Sequence, residues 1–509
     1  MNIENILLPQ PILFLNSILL SLGMIYCCQN LSKYFLKKNY LNDYFPIYFI
    51  LFLALISIII SYLLFIGFDY LNLTLKIFGS LISGTGFLFI LKYKNKMINF
   101  FNDTALNNVW IKIGILTYLI IIFMPVTDAD SLDYHLGAPL TWYKNQSFVL
   151  IKDWLMIRQY GSGEIINYFG IINGIDNLNA CLNFIFLIFL IRLTKNILKT
   201  DNQILFSLII LSIPLNLFLF PSQKPMFYFM IAWTIIFICL LEKKKIQKNF
   251  ILVNFFNLSF ITLSKLSFLI YSVPLWFYLL FNKNINKELP ASNFILFSGL
   301  IFIIFCLPFY FFNFQNYSNP ISPIFDEFIV PLLGGKISPE TINFSKFTRT
   351  YYGTTVNHWI EYITNFFITL SPGKISTVLG ISFIFFINKK IKDFLKNKNV
   401  LLLLVIISLI LISGQYQPRY YFAPYVLLIF YLLKSFYQKE IFNIKQILVK
   451  LQFLIIIFIM LIFSLINFPS IFSQKFRHAT LSNNAFEYNE NIWLNQKKIE
   501  GTIFTDLRT

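Results

Sequence analysis

Residues 110–126 read WIKIGILTYLIIIFMPV, and the chain continues at 127–136 as TDADSLDYHL. An apolar run of bilayer length thus gives way, within seven residues, to three aspartates, Asp128, Asp130 and Asp133. Such runs recur along most of the 509 residues, many close to the roughly 17–25 residues that cross a bilayer. The hydrophobic fraction is 57% and the charged fraction 13%, whereas a soluble domain carries about a quarter charged residues. With a mean hydropathy of +0.68, the chain reads as an all-α integral membrane protein.

Fourteen transmembrane helices are expected, near 10–28, 46–68, 72–91, 110–126, 176–191, 203–220, 225–241, 250–264, 266–282, 293–314, 375–388, 399–413, 420–437 and 451–468. The first run lacks a basic leader and a small-residue cleavage site, so it reads as a retained span. Basic residues orient the set: Lys33, Lys37 and Lys38, then Lys92, Lys94 and Lys96, then Arg192, Lys195 and Lys199, then Lys243, Lys244, Lys245 and Lys248 occupy every second connection. Lys283 and Lys287, Lys389 to Lys398, and Lys439, Lys445 and Lys450 keep that phase, which marks the basic connections as cytoplasmic. The formal charge of +18 therefore lies in short clusters between spans and forms no single basic face, so a nucleic-acid partner is not expected. Cys27, Cys28, Cys181, Cys239 and Cys306 lie in apolar segments without metal-ligand spacing.

The other face receives two long polar segments, 127–175 and 315–374, the short links 221–224 and 414–419, and a tail from about 469. Function is expected there. Carboxylates beside an apolar boundary are costly unless solvated, paired or metal-bound. If a helix starts at this point, Asp130 and Asp133 share a face at i, i+3 with Tyr134 beside them, although Asp and Ser here also suit a helix cap. Lys224, in PSQKP, stands at the mouth of a span. Lys265, in TLSKLSF, interrupts an apolar stretch, either lining a cavity or marking a turn between two short spans.

DADSLDYHLGAP, with GSGE downstream, resembles the first outer loop of the GT-C superfamily of polytopic glycosyltransferases. Asp130, followed five residues later by His135 in Tyr134-His135-Leu136, matches the bacterial form of that pattern. The likeness spans roughly 110–470, with looser matches at Lys224, Lys265, Asn319-Pro320 with Pro323, and Gln417-Pro418-Arg419-Tyr420 before Pro424. It implies a GT-C-like catalytic core over 110–468, three extra N-terminal helices within 1–109 and a short periplasmic tail over 469–509. It also implies transfer of a sugar from a polyprenyl-phosphate donor to a glycan, lipid or protein acceptor, on the periplasmic face of a bacterial inner membrane. Asp130 is then the catalytic base with Asp133 or Glu164 as helper, and Tyr134 and His135 line the site.

That chemistry suits these residue types. A carboxylate orients or deprotonates the acceptor, and cations hold the departing phosphate. Arg419, Lys224 and Lys265 are the phosphate candidates, with Tyr420 beside them. Asp128, Asp130 and Glu164 offer hard oxygen ligands for a divalent metal, but the spacing is not diagnostic and no cofactor is assigned. Trp142, Trp154, Tyr160, Tyr351 and Tyr352 read as interfacial anchors or sugar-stacking rings. The second outer segment, with Asp326, Glu327, Arg349, His358 and Glu361 among prolines and glycines, reads as a loop that closes over substrate. A polysaccharide polymerase or ligase favours arginines and histidines in the outer loops instead. A secondary transporter or lipid flippase favours charges within the spans. No inverted internal repeat is visible.

Overall fold

The computed structural model describes residues 6–35, 41–101, 108–149, 158, 161–242, 248–282, 290–322, 326–337, 342, 366–368, 372–386, 394–413, 415, 417–435, 443–485 and 488–489. Among them the secondary structure is helical throughout, with no strand. In chain order the helices are α1 (Ile12–Phe35), α2 (Leu41–Ile66), α3 (Leu71–Phe101), α4 (Val109–Ile121), α5 (Gly137–Asn145), α6 (Ser162–Ile172), α7 (Leu178–Lys195) and α8 (Thr200–Ser212). They continue as α9 (Met226–Glu242), α10 (Lys248–Thr262), α11 (Leu269–Leu280), α12 (Ala291–Tyr317), α13 (Asp326–Leu332), α14 (Lys398–Ile412), α15 (Phe422–Ser435), α16 (Asn443–Asn467) and α17 (Gln474–Asn484).

Six segments among the described residues are long and apolar enough to cross a membrane: Ile12–Lys33, Tyr44–Ile66, Leu71–Lys92, Leu178–Lys195, Ile295–Tyr317 and Lys445–Ile471. Val109–Ile121, Met226–Glu242, Leu269–Leu280 and Lys398–Ile412 are apolar but shorter. Two of the fourteen expected spans depart from a continuous helix for visible reasons. The run 203–220 breaks after Ser212, because Pro214 follows and Leu215 N donates to Val378 O (3.0 Å) instead of continuing the ladder, and it resumes as the single turn Asn216–Leu219. The run 375–388 becomes two 3₁₀ pieces, Pro372–Thr377 and Ile381–Phe386. Between them Leu379 N and Gly380 N donate to Phe366 O and Phe367 O (3.0 and 2.9 Å), and Ile381 N to the Gln452 side chain (2.6 Å). Backbone donors satisfied outside the segment leave no ladder for a helix.

One apolar cluster runs from Leu7 to Ile471 and takes in α1, α2 and α3. α1 lies along α3 with Gly23 and Gly86 at the contact, where an added Cβ would meet a backbone carbonyl oxygen at 1.9 and 2.0 Å. Small residues allow this backbone approach in place of side-chain interdigitation. Facing outward, Ile295, Leu300, Ile303, Ile412, Leu465 and Ile466 are half or more exposed, an apolar rim suited to lipid.

Contacts between helix ends sort into two groups. At one end Ser17 bonds Asn177 (2.7 Å), Asn72 bonds Tyr143 O (2.7 Å), and Phe14 packs on Phe123 and Phe472. At the other, Asn202 bonds Leu433 O (2.7 Å), Lys434 pairs with Glu242, and Asn399 bonds Tyr278 and Tyr431 (3.1 and 3.0 Å). Each of these contacts joins ends that the basic-cluster phase places on the same side.

Candidate functional site

The site lies at the end opposite the lysine-rich one. Past α4 the carbonyl of Ile122 accepts from Asn177 Nδ2 (3.0 Å). The chain then enters a π-helical segment, Ser131–His135, in which Leu136 N reaches back to Ser131 O (2.9 Å). Such wide turns are rare and recur at functional sites. Ser131 N and Oγ both donate to Asp128 Oδ2 (3.0 and 2.7 Å), while Ser131 Oγ accepts from Gln223 N (2.9 Å). Gln223 O accepts in turn from Asn167 Nδ2 (3.1 Å) and Asn179 Nδ2 (2.9 Å). The short 221–224 link is thus bonded to the first outer segment, to α6 and to α7.

This lashing aims Lys224. Its ammonium, on a residue only 3% exposed, meets Asp130 Oδ2 at 2.9 Å and Asp128 Oδ1 at 3.3 Å, and lies 4.0 Å from the Phe218 ring centroid. Burial alone would push the Asp130 carboxyl upward. Lys224, with Arg419 and His135 adding to it, outweighs burial and holds the carboxyl below the usual carboxylate range.

Glu164 is fixed by a different device. It sits in the first turn of α6, where its Oε2 accepts from Gly161 N (2.7 Å), the half of a capping box that a glycine cap allows. Its Oε1 meets His135 Nδ1 at 2.7 Å, with both side chains buried. Gly161 can be nothing larger, since a Cβ there would stand 2.1 Å from Leu263 O. Ser162 Oγ donates to Phe260 O (2.9 Å), so the start of α6 is seated on the C-terminal end of α10. Burial pushes the His135 imidazole below its ordinary range against the opposing pull of Glu164. The Tyr134 ring lies 4.1 Å from that of His135, and burial together with Asp130 pushes its phenol well up.

Lys265 occupies the break between α10 and the 3₁₀ turn Leu266–Phe268, so it does mark a turn. The same position aims its ammonium at the site, 6.0 Å from the Tyr420 ring. Arg419 lies 5.3 Å from that ring, in the 3₁₀ turn Pro418–Tyr421, whose Tyr420 carbonyl accepts from the Tyr271 hydroxyl. Asp130, Tyr134, His135, Glu164, Lys224, Lys265, Arg419 and Tyr420 therefore converge from five separate stretches of chain. Asp133 lies half-buried on the same π segment.

Other expectations fare differently. Trp142 is no interfacial ring: it is fully buried against Phe148 and Tyr168, because α5 folds onto α6. Trp154, Tyr160, Tyr351, Tyr352, Arg349, His358 and Glu361 lie outside the described residues. Asn319 of the Asn-Pro element holds Asp326 (2.6 Å) and accepts from Ile321 N (3.0 Å), a local turn. Among the described residues no group of three or more His, Cys, Asp or Glu side chains is arranged to hold a metal ion. Asp128 and Asp130 turn to Lys224, and Glu164 to His135.

Sequence reasoning missed Ser131, Gln223, Asn167 and Asn179, whose only signal was neutral polar character beside or within apolar runs. It also missed Arg158, which is buried, stacks on Tyr317 (4.3 Å) and pairs with Asp326 (3.8 Å), joining the two outer segments.

The family described as the DUF1420 N-terminal domain matches residues 10–481, and the chain belongs to it. The match takes in α1, α2 and α3 as well as the site. No curated protein and no solved structure matches the chain.

Proposed function

We propose that this member of the DUF1420 N-terminal domain family is a membrane glycosyltransferase that moves a sugar from a polyprenyl-phosphate donor to a cell-envelope acceptor, on the face opposite the lysine-rich connections. The observation that carries this reading is the convergence of Lys224, Lys265 and Arg419 with the ionised Asp130 at one end of a bundle whose outer surface is apolar. An amphiphilic donor reaches such a site from the lipid, with its phosphate at the level of the cations.

In an inverting displacement the acceptor oxygen forms a bond to the anomeric carbon as the bond from that carbon to the phosphate oxygen breaks. The acceptor proton leaves to a base, and the polyprenyl phosphate departs with the bonding pair. Negative charge grows on the leaving phosphate, so preorganised cations stabilise the transition state more than the ground state. Arg419 offers a fork of donors and Lys265 a point charge. Asp130, kept anionic by Lys224, orients the acceptor hydroxyl by accepting its hydrogen bond.

The test is transfer from labelled polyprenyl-phosphate sugars by the full chain in lipid, with membrane extract as acceptor. Wild type is expected to transfer, and Asp130→Asn, confirmed as folded, to lose transfer. Absence of transfer from every donor, with substrate uptake into sealed vesicles instead, would overturn the reading in favour of a transporter.

A further inference from the structure

Asp130 is well placed to orient an acceptor but is a weak base. Its carboxylate is engaged by the Lys224 ammonium at 2.9 Å, and protonating it would break that pair. A second group beside it has the geometry of a proton acceptor. His135 Nδ1 and Glu164 Oε1 are 2.7 Å apart, and Glu164 Oε2 is pinned by Gly161 N at 2.7 Å. The carboxylate therefore cannot rotate away without uncapping α6. Asn167 Nδ2 holds the His135 carbonyl (2.9 Å), which fixes the backbone from which the ring projects. With Nδ1–H donated to the carboxylate, the imidazole is neutral and Nε2 carries a lone pair. Nε2 has no hydrogen-bond partner among the described residues. A buried carboxylate behind a histidine sets the tautomer and stabilises the imidazolium that forms when the far nitrogen takes a proton.

We propose that His135, oriented by Glu164, is the proton acceptor of this site and that Glu164 is its positioning residue. The proposal rests on the glycosyltransferase reading and supplies the missing destination of the proton. As the acceptor oxygen bonds to the anomeric carbon, its proton passes to His135 Nε2, and the polyprenyl phosphate leaves as the anion beside Lys265 and Arg419. The charged groups that act on the ring are Glu164, which favours the imidazolium, and Lys265 and Lys224, which oppose it. Asp130 is also within electrostatic reach, and the Tyr134 ring packs alongside. Burial keeps the ring neutral at rest, as an acceptor requires.

The chain has three histidines, so ¹⁵N-histidine labelling of the full protein in lipid nanodiscs reads His135 directly, with His135→Gln assigning its signals. The expected result is a neutral Nδ1–H tautomer at pH 7 in wild type and loss of that preference in Glu164→Gln. A ring that is doubly protonated at pH 7, or that carries its proton on Nε2, would overturn the proposal whatever the protein transfers. In the transfer assay, His135→Gln and Glu164→Gln are expected to lower kcat about a hundredfold or more with little change in KM. The acid limb of the pH profile should move to lower pH in Glu164→Gln, and Glu164→Asp should restore part of the rate. Wild-type transfer that survives His135→Gln at full rate would sink the dyad and leave the glycosyltransferase intact. No transfer by wild type would sink both.

Discussion

At the scale of single residues, the site was legible where charge met apolar sequence. Asp130, Lys224, Lys265 and Arg419 stood out because an ionised group at a membrane boundary is expensive and needs a reason, and the fold gives each a partner or a ring. Ser131 and Gln223 did not stand out, since neutral polar residues are tolerated widely and only the partner reveals the role. Lys224 is the residue on which the electrostatics turn. In Lys224→Met, Asp128 and Asp130 lose their common cation, and the Asp130 carboxyl should rise. Because its folded value is depressed, its share of stability is present above the unfolded value of about 3.9 and is lost as pH falls through the folded value. The variant should lose that share at neutral pH. Removing one partner of a fully buried pair costs roughly 3–5 kcal/mol. The Asp130 side chain is 37% exposed, so solvent screening brings the expected loss down to about 1–2 kcal/mol. Thermal unfolding at pH 7 and at about pH 2.5, below the unfolded value, checks this: the gap between wild type and variant should narrow at the lower pH.

At the scale of elements, apolar runs were readable and their interruptions were not. Composition reports that 375–388 is apolar, but it cannot report that Gln452 on α16 and the carbonyls of Phe366 and Phe367 take the backbone donors which a helix there would use. Pro214 did signal the stop after α8. The seating of α6 depends on the close approach at Gly161, and Gly161→Ala should cost about 1–3 kcal/mol through overpacking. It should also displace Glu164 from His135 and depress transfer with it. Gly84→Ala in α3, where a Cβ meets nothing within 4 Å, is the control and should be neutral or stabilising by about 0.5–1 kcal/mol. A second element prediction concerns α17. Arg477 and Asp176 form a pair at 2.7 Å, with side chains 2% and 4% exposed, and it docks this polar helix beside the start of α7. Arg477→Met or Asp176→Leu alone should cost roughly 3–5 kcal/mol, while the two together should recover much of the loss. Melting curves of the three variants in one detergent decide it, and strictly additive losses would mean that the two residues do not act as a pair.

At the scale of the molecule, the alternation of basic clusters and the grouping of helix ends are independent observations of one topology. The first counts lysines along the chain. The second uses contacts such as Ser17 with Asn177 and Asn399 with Tyr431, which involve none of those lysines. Their agreement sets the described residues of both large polar segments, joined by the Arg158–Asp326 pair, at the end that carries Asp130, with Glu242, Lys434 and Lys199 at the other. The positive-inside rule then predicts a non-cytoplasmic Asp130 end, the sidedness that the proposed lipid-phosphate donor would need. Cysteine labelling tests it. The native cysteines lie in or beside the core, Cys27 half-buried and the other four buried, so replacing them with Ser or Ala yields a background for single probes. Asn145→Cys, exposed at the end of α5, and Thr200→Cys, exposed at the start of α8, report the two ends. In intact cells a membrane-impermeant maleimide should label position 145 and leave 200 unlabelled until the membrane is opened. The reverse pattern would put Asp130 and its cations in the cytoplasm, where soluble nucleotide sugars are at hand, and the argument for a lipid-phosphate donor would fall with it. Labelling of both positions from outside would mean an odd number of misread crossings between α5 and α8. The fault would then lie in α7, the one membrane-length helix among the described residues between the two probes.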